Sequence, residues 1–443
     1  MRFGTDGLRG PANSELTPEL ATALGRAAAR TIDATTWFVA RDTRRSGPML
    51  AAAVAAGIAS EGHDVRDLGV APTPVAADAA RAGGASIVVS ASHNPWPDNG
   101  LKVFAPGGRK LSDAEQSSIE ALLAPGALDE VPRSSLQVGE VGVADAPIDA
   151  YLDRVVAAVD GRRLDGLRVV VDCGHGAAVR TAARAFTALG ADAELIHVSP
   201  DGTNINDGVG STDTGRLADA VRSSGAHLGV AFDGDADRLI AIDEHGSEVD
   251  GDRLLAMFAL DLAAHGRLSG DTLVVTVMSN LGLHRAMRDA GVRVEVTPVG
   301  DRHVLEAMAA GSFSLGGEQS GHLVFADHAT TGDGLLAAVL LCDLVRRDGR
   351  PLSEMASSVL ERVPQLLVNV RTGVRPDDPA GDLADVIERA TSELGDEGRV
   401  LVRSSGTEPL VRVMVEAPDV QQAERLADEI SAAVLDRYGT PSD

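Results

Sequence analysis

The chain has 443 residues, with 40 basic and 65 acidic side chains and a formal net charge of −25. Such an acidic surface repels nucleic acid and anionic membranes, so neither is expected as a partner. A hydrophobic share of 44% supports sizeable cores rather than disorder, and the length predicts three or four domains.

The two cysteines, Cys173 and Cys342, are too few for a disulfide framework and suit a reducing cytosol. No zinc-type Cys/His spacing occurs. The sequence shows neither a basic-then-apolar leader nor an apolar run long enough to span a bilayer, so a cytoplasmic location is expected. Aromatic residues make up 3%, which leaves no evident stacking platform for bases or sugars.

In chain order, repeated strand–loop–helix units are predicted. Residues 37–40 read as a strand ending in Arg41-Asp42-Thr43-Arg44, and 49–60 as an Ala-rich helix. Residues 85–89 form a short apolar run, read as a buried strand. It delivers Ser90-Ala91-Ser92-His93-Asn94-Pro95 and then Asp98-Asn99-Gly100-Leu101-Lys102 at its end. A hydroxyl at a strand end lies where α/β sheets place their sites, and Asn, Pro and Gly suit a polar turn. A stretch rich in turn formers and acids, 123–142, precedes a helix over 149–159.

A second unit pairs a strand at 167–172 with a helix over 177–189. Its turn, Cys173-Gly174-His175-Gly176, fails the full dinucleotide fingerprint and reads as a tight strand-to-helix connection. Strands at 228–232 and 239–242 then bracket Asp233-Gly234-Asp235-Ala236-Asp237-Arg238. Three carboxylates at alternating positions can converge on one hard cation, Mg²⁺ being the best fit. An EF-hand is the competing pattern, and Glu244 falls at its twelfth position, but the sixth needs Gly and here is Arg238. A third unit has a strand at 272–277 and a helix over 281–290. Three units more than a hundred residues apart predict three related α/β domains.

From about residue 364 the pattern changes to strands at 366–370 and 411–415, predicting a smaller α+β domain. It carries Arg403-Ser404-Ser405-Gly406-Thr407-Glu408-Pro409, with Arg412 close behind. Hydroxyls, backbone N–H groups and forked guanidinium donors suit a phosphate, without the lysine of a P-loop. The expected domains are 1–150, 151–248, 249–364 and 365–443.

Serine, metal triad and phosphate clamp together describe phosphoryl transfer, and here the sequence resembles the α-D-phosphohexomutase superfamily over nearly its whole length. Phe3-Gly4-Thr5-Asp6-Gly7-Leu8-Arg9-Gly10 and Gly316-Gly317-Glu318-Gln319-Ser320-Gly321-His322 resemble the N-terminal signature and sugar-recognition loop of its amino-sugar branch. Arg41–44 and Pro200-Asp201-Gly202-Thr203-Asn204-Ile205-Asn206 also read as family segments, in the family's order. The resemblance implies three similar mixed-sheet α/β domains plus a smaller α+β C-terminal domain around a central cleft. It implies that Ser92, rather than Ser90, carries a phosphoryl group, next to Mg²⁺ held by Ser92, Asp233, Asp235 and Asp237.

The implied reaction interconverts glucosamine 6-phosphate and glucosamine 1-phosphate through phosphorylated Ser92 and a glucosamine 1,6-bisphosphate that turns end over end. Its product would feed UDP-N-acetylglucosamine and cell-wall synthesis. By the same resemblance Arg403, Ser404, Ser405, Gly406, Thr407 and Arg412 hold the idle phosphate, and Glu318 and Ser320 meet ring hydroxyls. Lys102 and His322 are candidates for proton transfer or charge stabilisation, and Arg9 is a residue near the phosphoserine. Partners are then small-molecule sugar phosphates; the resemblance allows a homodimer, on which the sequence is silent.

Two positions depart from the family pattern: Ser404 stands where proline is common, and His303 where tyrosine is usual. Alternative readings are a phosphomannomutase or phosphoglucomutase, a phosphatase that hydrolyses its own phosphoserine, and a non-catalytic sugar-phosphate sensor. The sensor would require loss of the serine, an aspartate or the clamp, and none is lost.

Overall fold

A computed structural model describes residues 3–4, 7–128, 137–405 and 409–439. The chain divides into two compact units, Met1–Met278 with Gly291–Val359, and Ser279–Ala290 with Leu360–Asp443. The first unit contains three mixed sheets.

The first sheet runs in the order Leu8–Pro11, Asp98–Ala105, Ala85–Val89, Thr36–Arg41, Asp64–Val70, Val141–Val143, with Arg109–Lys110 folded back on Asp98–Ala105. Ala85–Val89 is buried at every position, as a central strand covered on both faces must be. It pairs in parallel with Thr36–Arg41 and antiparallel with Asp98–Ala105. Helices Pro18–Thr31 and Gly47–Ala59 cross closely: a Cβ at Gly57 would lie 2.2 Å from the Thr22 carbonyl oxygen. Thr17 caps the first of these helices by accepting from Leu20 N at 3.3 Å.

The second sheet orders Glu248–Val249, Leu239–Asp243, Leu228–Phe232, Arg168–Asp172 and Asp192–Ile196. Leu228–Phe232 is parallel to Arg168–Asp172 and antiparallel to Leu239–Asp243. The loop joining that antiparallel pair carries the three aspartates. The third sheet orders Arg293–Thr297, Thr272–Thr276, Leu315–Gly317 and Leu323–Phe325, again parallel inside with one antiparallel partner at the end.

The second unit has an antiparallel sheet, Gln365–Arg371, Leu410–Glu416 and Arg399–Ser404, packed on helices Ala384–Leu394 and Val420–Tyr438. Three mixed α/β sheets and a small α+β domain are thus the fold class read from the sequence. No helix among the described residues is long and apolar enough to cross a membrane.

Two predicted helices differ. The expected helix over 177–189 is a 3₁₀ turn, Ala177–Arg180, followed by Ala182–Leu189. Ala177 N is held by the Gly234 carbonyl at 2.8 Å, which ties this turn to the aspartate loop instead of a regular helix start. The helix after the third strand, Leu281–Asp289, belongs with the C-terminal sheet rather than with its own strand. Leu281 N donates to the Glu416 carboxylate at 3.1 Å, and Arg285 donates to the Asp396 carbonyl at 2.8 Å.

Candidate active site

Ser92 is buried and sits just past the end of Ala85–Val89 with φ at 53°, in the left-handed region. That conformation is uncommon for a residue with a side chain and aims the hydroxyl out of the strand direction. Ser92 Oγ donates to Asp233 Oδ2 at 2.5 Å, and His93 Nδ1 lies 3.2 Å from Ser92 Oγ. The close approach needs Gly234, because a Cβ there would lie 2.6 Å from the Ser92 carbonyl oxygen.

Asp233, Asp235 and Asp237 are all buried, and a carboxylate oxygen from each lies within 4.8 Å of the others. The loop turns on Ala236, whose φ is 57° and whose N–H donates to the Asp233 carbonyl at 3.1 Å. Asp235 Oδ2 accepts from Thr73 Oγ1 at 2.6 Å and from Lys102 Nζ at 2.7 Å; Asp237 Oδ2 accepts from Lys102 Nζ at 3.0 Å. Oδ1 of Asp235 and Oδ1 of Asp237 are buried with no hydrogen-bond partner among the described residues. Buried oxygens left over in a carboxylate cluster fit a hard divalent cation, which takes oxygen ligands.

The charges respond accordingly. Burial, and then the neighbouring Asp237 and Asp235, push the Asp233 carboxyl well above its ordinary range. For Asp237 burial acts the same way, but Lys102, His322 and Arg238 outweigh it and hold the group well below that range. Of the two carboxyls, Asp233 is therefore the one that gives up its proton less readily.

Lys102 is buried in Asp98–Ala105 and paired with two of the three acids. His322 is buried, and its Nε2 accepts from Gly332 N at 3.1 Å. That bond assigns the ring proton to Nδ1, which faces Asp237 Oδ1 at 3.8 Å. Burial pulls the imidazole down, but Asp237, Asp301 and Glu318 outweigh it and raise its pKa. Half-buried Glu318 accepts from Gly300 N at 3.1 Å, while Ser320 is exposed.

Arg9 lies in Leu8–Pro11, opposite Gly100 of the strand that carries Lys102. Burial, then the charges of Arg238 and Arg9, draw the His93 pKa down to about 4, so His93 is neutral at pH 7.

Several site residues had no role in the sequence reading. Arg238 closes the aspartate motif, and its buried Nε has no hydrogen-bond partner among the described residues. Thr73 anchors Asp235, and Asn206 Nδ2 donates to the Ser92 carbonyl at 2.9 Å. Asn206 and Arg44 stood inside segments already singled out, which was the available signal. Thr73 had none.

In the C-terminal unit Arg403 and Arg412 are directly opposite on neighbouring antiparallel strands. Each has a buried Nε without a hydrogen-bond partner among the described residues. Burial and the facing Arg412 lower the Arg403 pKa. Ser405 is buried, and Ser404 Oγ donates to the Pro376 carbonyl at 2.5 Å, so its hydroxyl is engaged locally. Gly406 and Thr407 lie outside the described residues. His303 is on Asp301–Gly311, with Nδ1 3.7 Å from Glu306.

A serine hydroxyl aimed at a buried carboxylate loop, on a chain of three mixed α/β sheets and a small antiparallel one, defines the phosphohexose-mutase class. Profiles of the phosphoglucomutase/phosphomannomutase family match in series: alpha/beta/alpha domain I over residues 1–128, domain II over 149–246, domain III over 250–363 and the C-terminal domain over 367–433. The chain belongs to this family. It is 51% identical over 451 residues to a protein of Frankia casuarinae named phosphoglucosamine mutase, covering 98% of this chain and 97% of that one. A Symbiobacterium thermophilum protein of the same name is 50% identical over 442 residues, covering 98% of each.

Among solved structures, a phosphoglucomutase/phosphomannomutase family protein of Burkholderia thailandensis aligns with a TM-score of 0.80 at 26% identity, over 98% of this chain and 97% of that one. N-acetylphosphoglucosamine mutase of Aspergillus fumigatus, solved with GlcNAc-6P and magnesium, shares the fold with a TM-score of 0.71 at 20% identity, over 99% and 96%.

Proposed function

We propose that this chain interconverts glucosamine 6-phosphate and glucosamine 1-phosphate, with Ser92 as phosphoryl carrier and a glucosamine 1,6-bisphosphate between the two half-reactions. The choice of amino sugar is supported by relatives 50–51% identical over 98% of the chain that bear the name phosphoglucosamine mutase. The chemistry is supported above all by the 2.5 Å contact of Ser92 Oγ with Asp233.

Asp233, Asp235 and Asp237, with an oxygen of phosphorylated Ser92, would hold the metal. When bound, Mg²⁺ offsets negative charge on the transferring group. Phosphorylated Ser92 loses its phosphoryl group to a free sugar hydroxyl: the Oγ–P bond breaks and a P–O bond to the sugar forms. Lys102, paired with two carboxylates, steadies the oxygen that gains negative charge. His322, with its raised pKa, would carry the hydroxyl proton on Nε2 once that nitrogen releases the Gly332 N–H, and return it in the reverse step. Glu318 and Ser320 accept from and donate to ring hydroxyls, and Arg9 and Arg238 add positive charge beside the phosphoserine. After the bisphosphate turns, Ser92 Oγ takes back the other phosphoryl group. Arg403 and Arg412 supply the forked donors for the idle phosphate, with Ser405, Gly406 and Thr407. Most of the acceleration in such chemistry comes from positioning and charge stabilisation.

Coupled assays with glucosamine 6-phosphate, glucose 6-phosphate and mannose 6-phosphate test the substrate. The amino sugar should give the highest kcat/KM; a hexose 6-phosphate turned over faster would make the chain a phosphoglucomutase or phosphomannomutase. Stoichiometric release of free phosphate in place of isomerised sugar would make it a phosphatase. Intact mass of the purified protein should show one added phosphoryl group, lost in Ser92→Ala.

A further inference from the structure

We propose that Asp42 and Arg44 are positioning residues, a buried ion pair that moulds the backbone of the Ser92 loop and so fixes the phosphoryl carrier against the aspartates. This rests on the reading of Ser92 as that carrier.

Both side chains are 0% exposed, and Arg44 Nε donates to Asp42 Oδ2 at 2.8 Å. The remaining guanidinium N–H groups all go to backbone carbonyls of one loop. Nη1 donates to Pro95 O at 2.5 Å and Asp98 O at 3.0 Å; Nη2 donates to Ser92 O at 2.9 Å and Asn94 O at 2.7 Å. Five donors thus meet five acceptors, which uses the full capacity of an arginine. A lysine, with three donors on a point charge, cannot reproduce that fork.

Asp42 completes the mould from the other side. Its Oδ2 accepts from Ser90 Oγ at 2.6 Å, and Ser90 Oγ accepts from the Ser92 N–H at 2.9 Å. The peptide on each side of the Ser92 Cα is thereby pinned, its N–H through Ser90 to Asp42 and its carbonyl to Arg44. Ser92 is at φ 53°, a strained conformation that persists when its surroundings over-determine it. Buried ion pairs are often replaceable by apolar residues with no loss of stability. Stability therefore gives little reason for this one, whereas the concentration of its acceptors in the Ser92 loop gives it a catalytic one.

The test uses Arg44→Lys and Ser90→Ala, with Arg26→Lys as a control at another buried arginine, which pairs with Glu61 at 2.7 Å and donates to Leu128 O at 2.9 Å. Phosphorylation of Ser92 by glucose 1,6-bisphosphate, starting from protein first stripped of its phosphoryl group by a phosphatase, is followed by intact mass, alongside kcat and KM for glucosamine 1-phosphate. Arg44→Lys and Ser90→Ala should slow both phosphorylation and kcat by about ten- to a hundredfold, the effect of a small misplacement, with KM within about twofold. Arg26→Lys should lose melting temperature and keep both rates. If Arg44→Lys does not fold, Ser90→Ala, which removes one oxygen, carries the test. Unchanged phosphorylation in folded Ser90→Ala, or a rise in KM alone, overturns the proposal while leaving Ser92 as carrier. A wild-type chain that takes up no phosphoryl group at Ser92 overturns the carrier and the proposal together.

Discussion

The Ser92 loop and the Arg403–Arg412 pair solve opposite problems. Around Ser92 the backbone is committed before any substrate arrives: its N–H and carbonyl are both bonded, and its hydroxyl points at Asp233. The two arginines are the reverse, like charges facing each other across a sheet, each with a buried Nε–H unspent among the described residues. A group that forms and breaks a covalent bond must be held within tenths of an ångström. A group that only binds an anion can stay uncomfortable until the anion relieves it, and like charges opposite on a sheet are uncomfortable.

The largest expected effect tests the first half of this contrast. Ser92→Ala should lower mutase turnover by at least about a thousandfold, since it removes the covalent route, while the melting temperature stays within a few degrees. A coupled assay that finds near-normal turnover breaks the assignment. The second half is tested by Arg403→Met and Arg412→Met. Each should raise KM for the sugar monophosphates by about ten- to a hundredfold, the worth of one charge-assisted hydrogen-bond set. The unfolding midpoint should hold or rise, because the facing charges are gone. A lower midpoint with unchanged KM would mean that the pair is structural.

A smaller effect concerns the metal. Lys102 already neutralises part of the aspartate cluster, so the wild-type fold should survive a chelator although activity is lost. In Lys102→Met, chelation should lower the melting temperature by several degrees more than in the wild type, as the buried acids then lack both the metal and the ammonium paired with two of them. Equal chelator sensitivity in differential scanning fluorimetry would show that Lys102 carries none of that load.

The smallest effect measures what burial costs a carboxylate that lacks such a cation. Asp333 caps Gly334–Asp348 and accepts from Tyr151 Oη at 2.8 Å, and burial raises its pKa to about 6. Its folded-state pKa lies above the unfolded one, so its contribution to stability is full below about pH 4 and is lost as pH rises through 6. Over that window the group should remove on the order of 2–3 kcal/mol. Asp333→Asn keeps the cap and should flatten this part of the stability profile relative to wild type. Parallel urea titrations of the two proteins at pH 4 and pH 7 check it.

The legible parts of the site were those whose chemistry is continuous in sequence. The alternating spacing of Asp233, Asp235 and Asp237 announces a convergent carboxylate cluster, and the run before Ser90 announces a strand end. Hidden parts depend on partners far along the chain: Thr73 meets Asp235 across 162 positions and Asn206 meets Ser92 across 114. Spacing carries no information about such pairs. The same limit explains helix Leu281–Asp289. Its amphipathic pattern shows which face is buried, and nothing in that pattern tells whether its own strand or the C-terminal sheet covers it. The break before Ala182 was hidden because the Gly234 carbonyl that holds Ala177 comes from the loop after the neighbouring strand Leu228–Phe232, far along the chain.

The backbone angle at residue 92 also restricts which amino acid can occupy the position. Threonine offers an equivalent alcohol, but its branched side chain fits a φ of 53° far worse than serine does. The loop's shape therefore selects among alcohols of equal reactivity, and a lineage that kept this loop would find the exchange of serine for threonine closed to it.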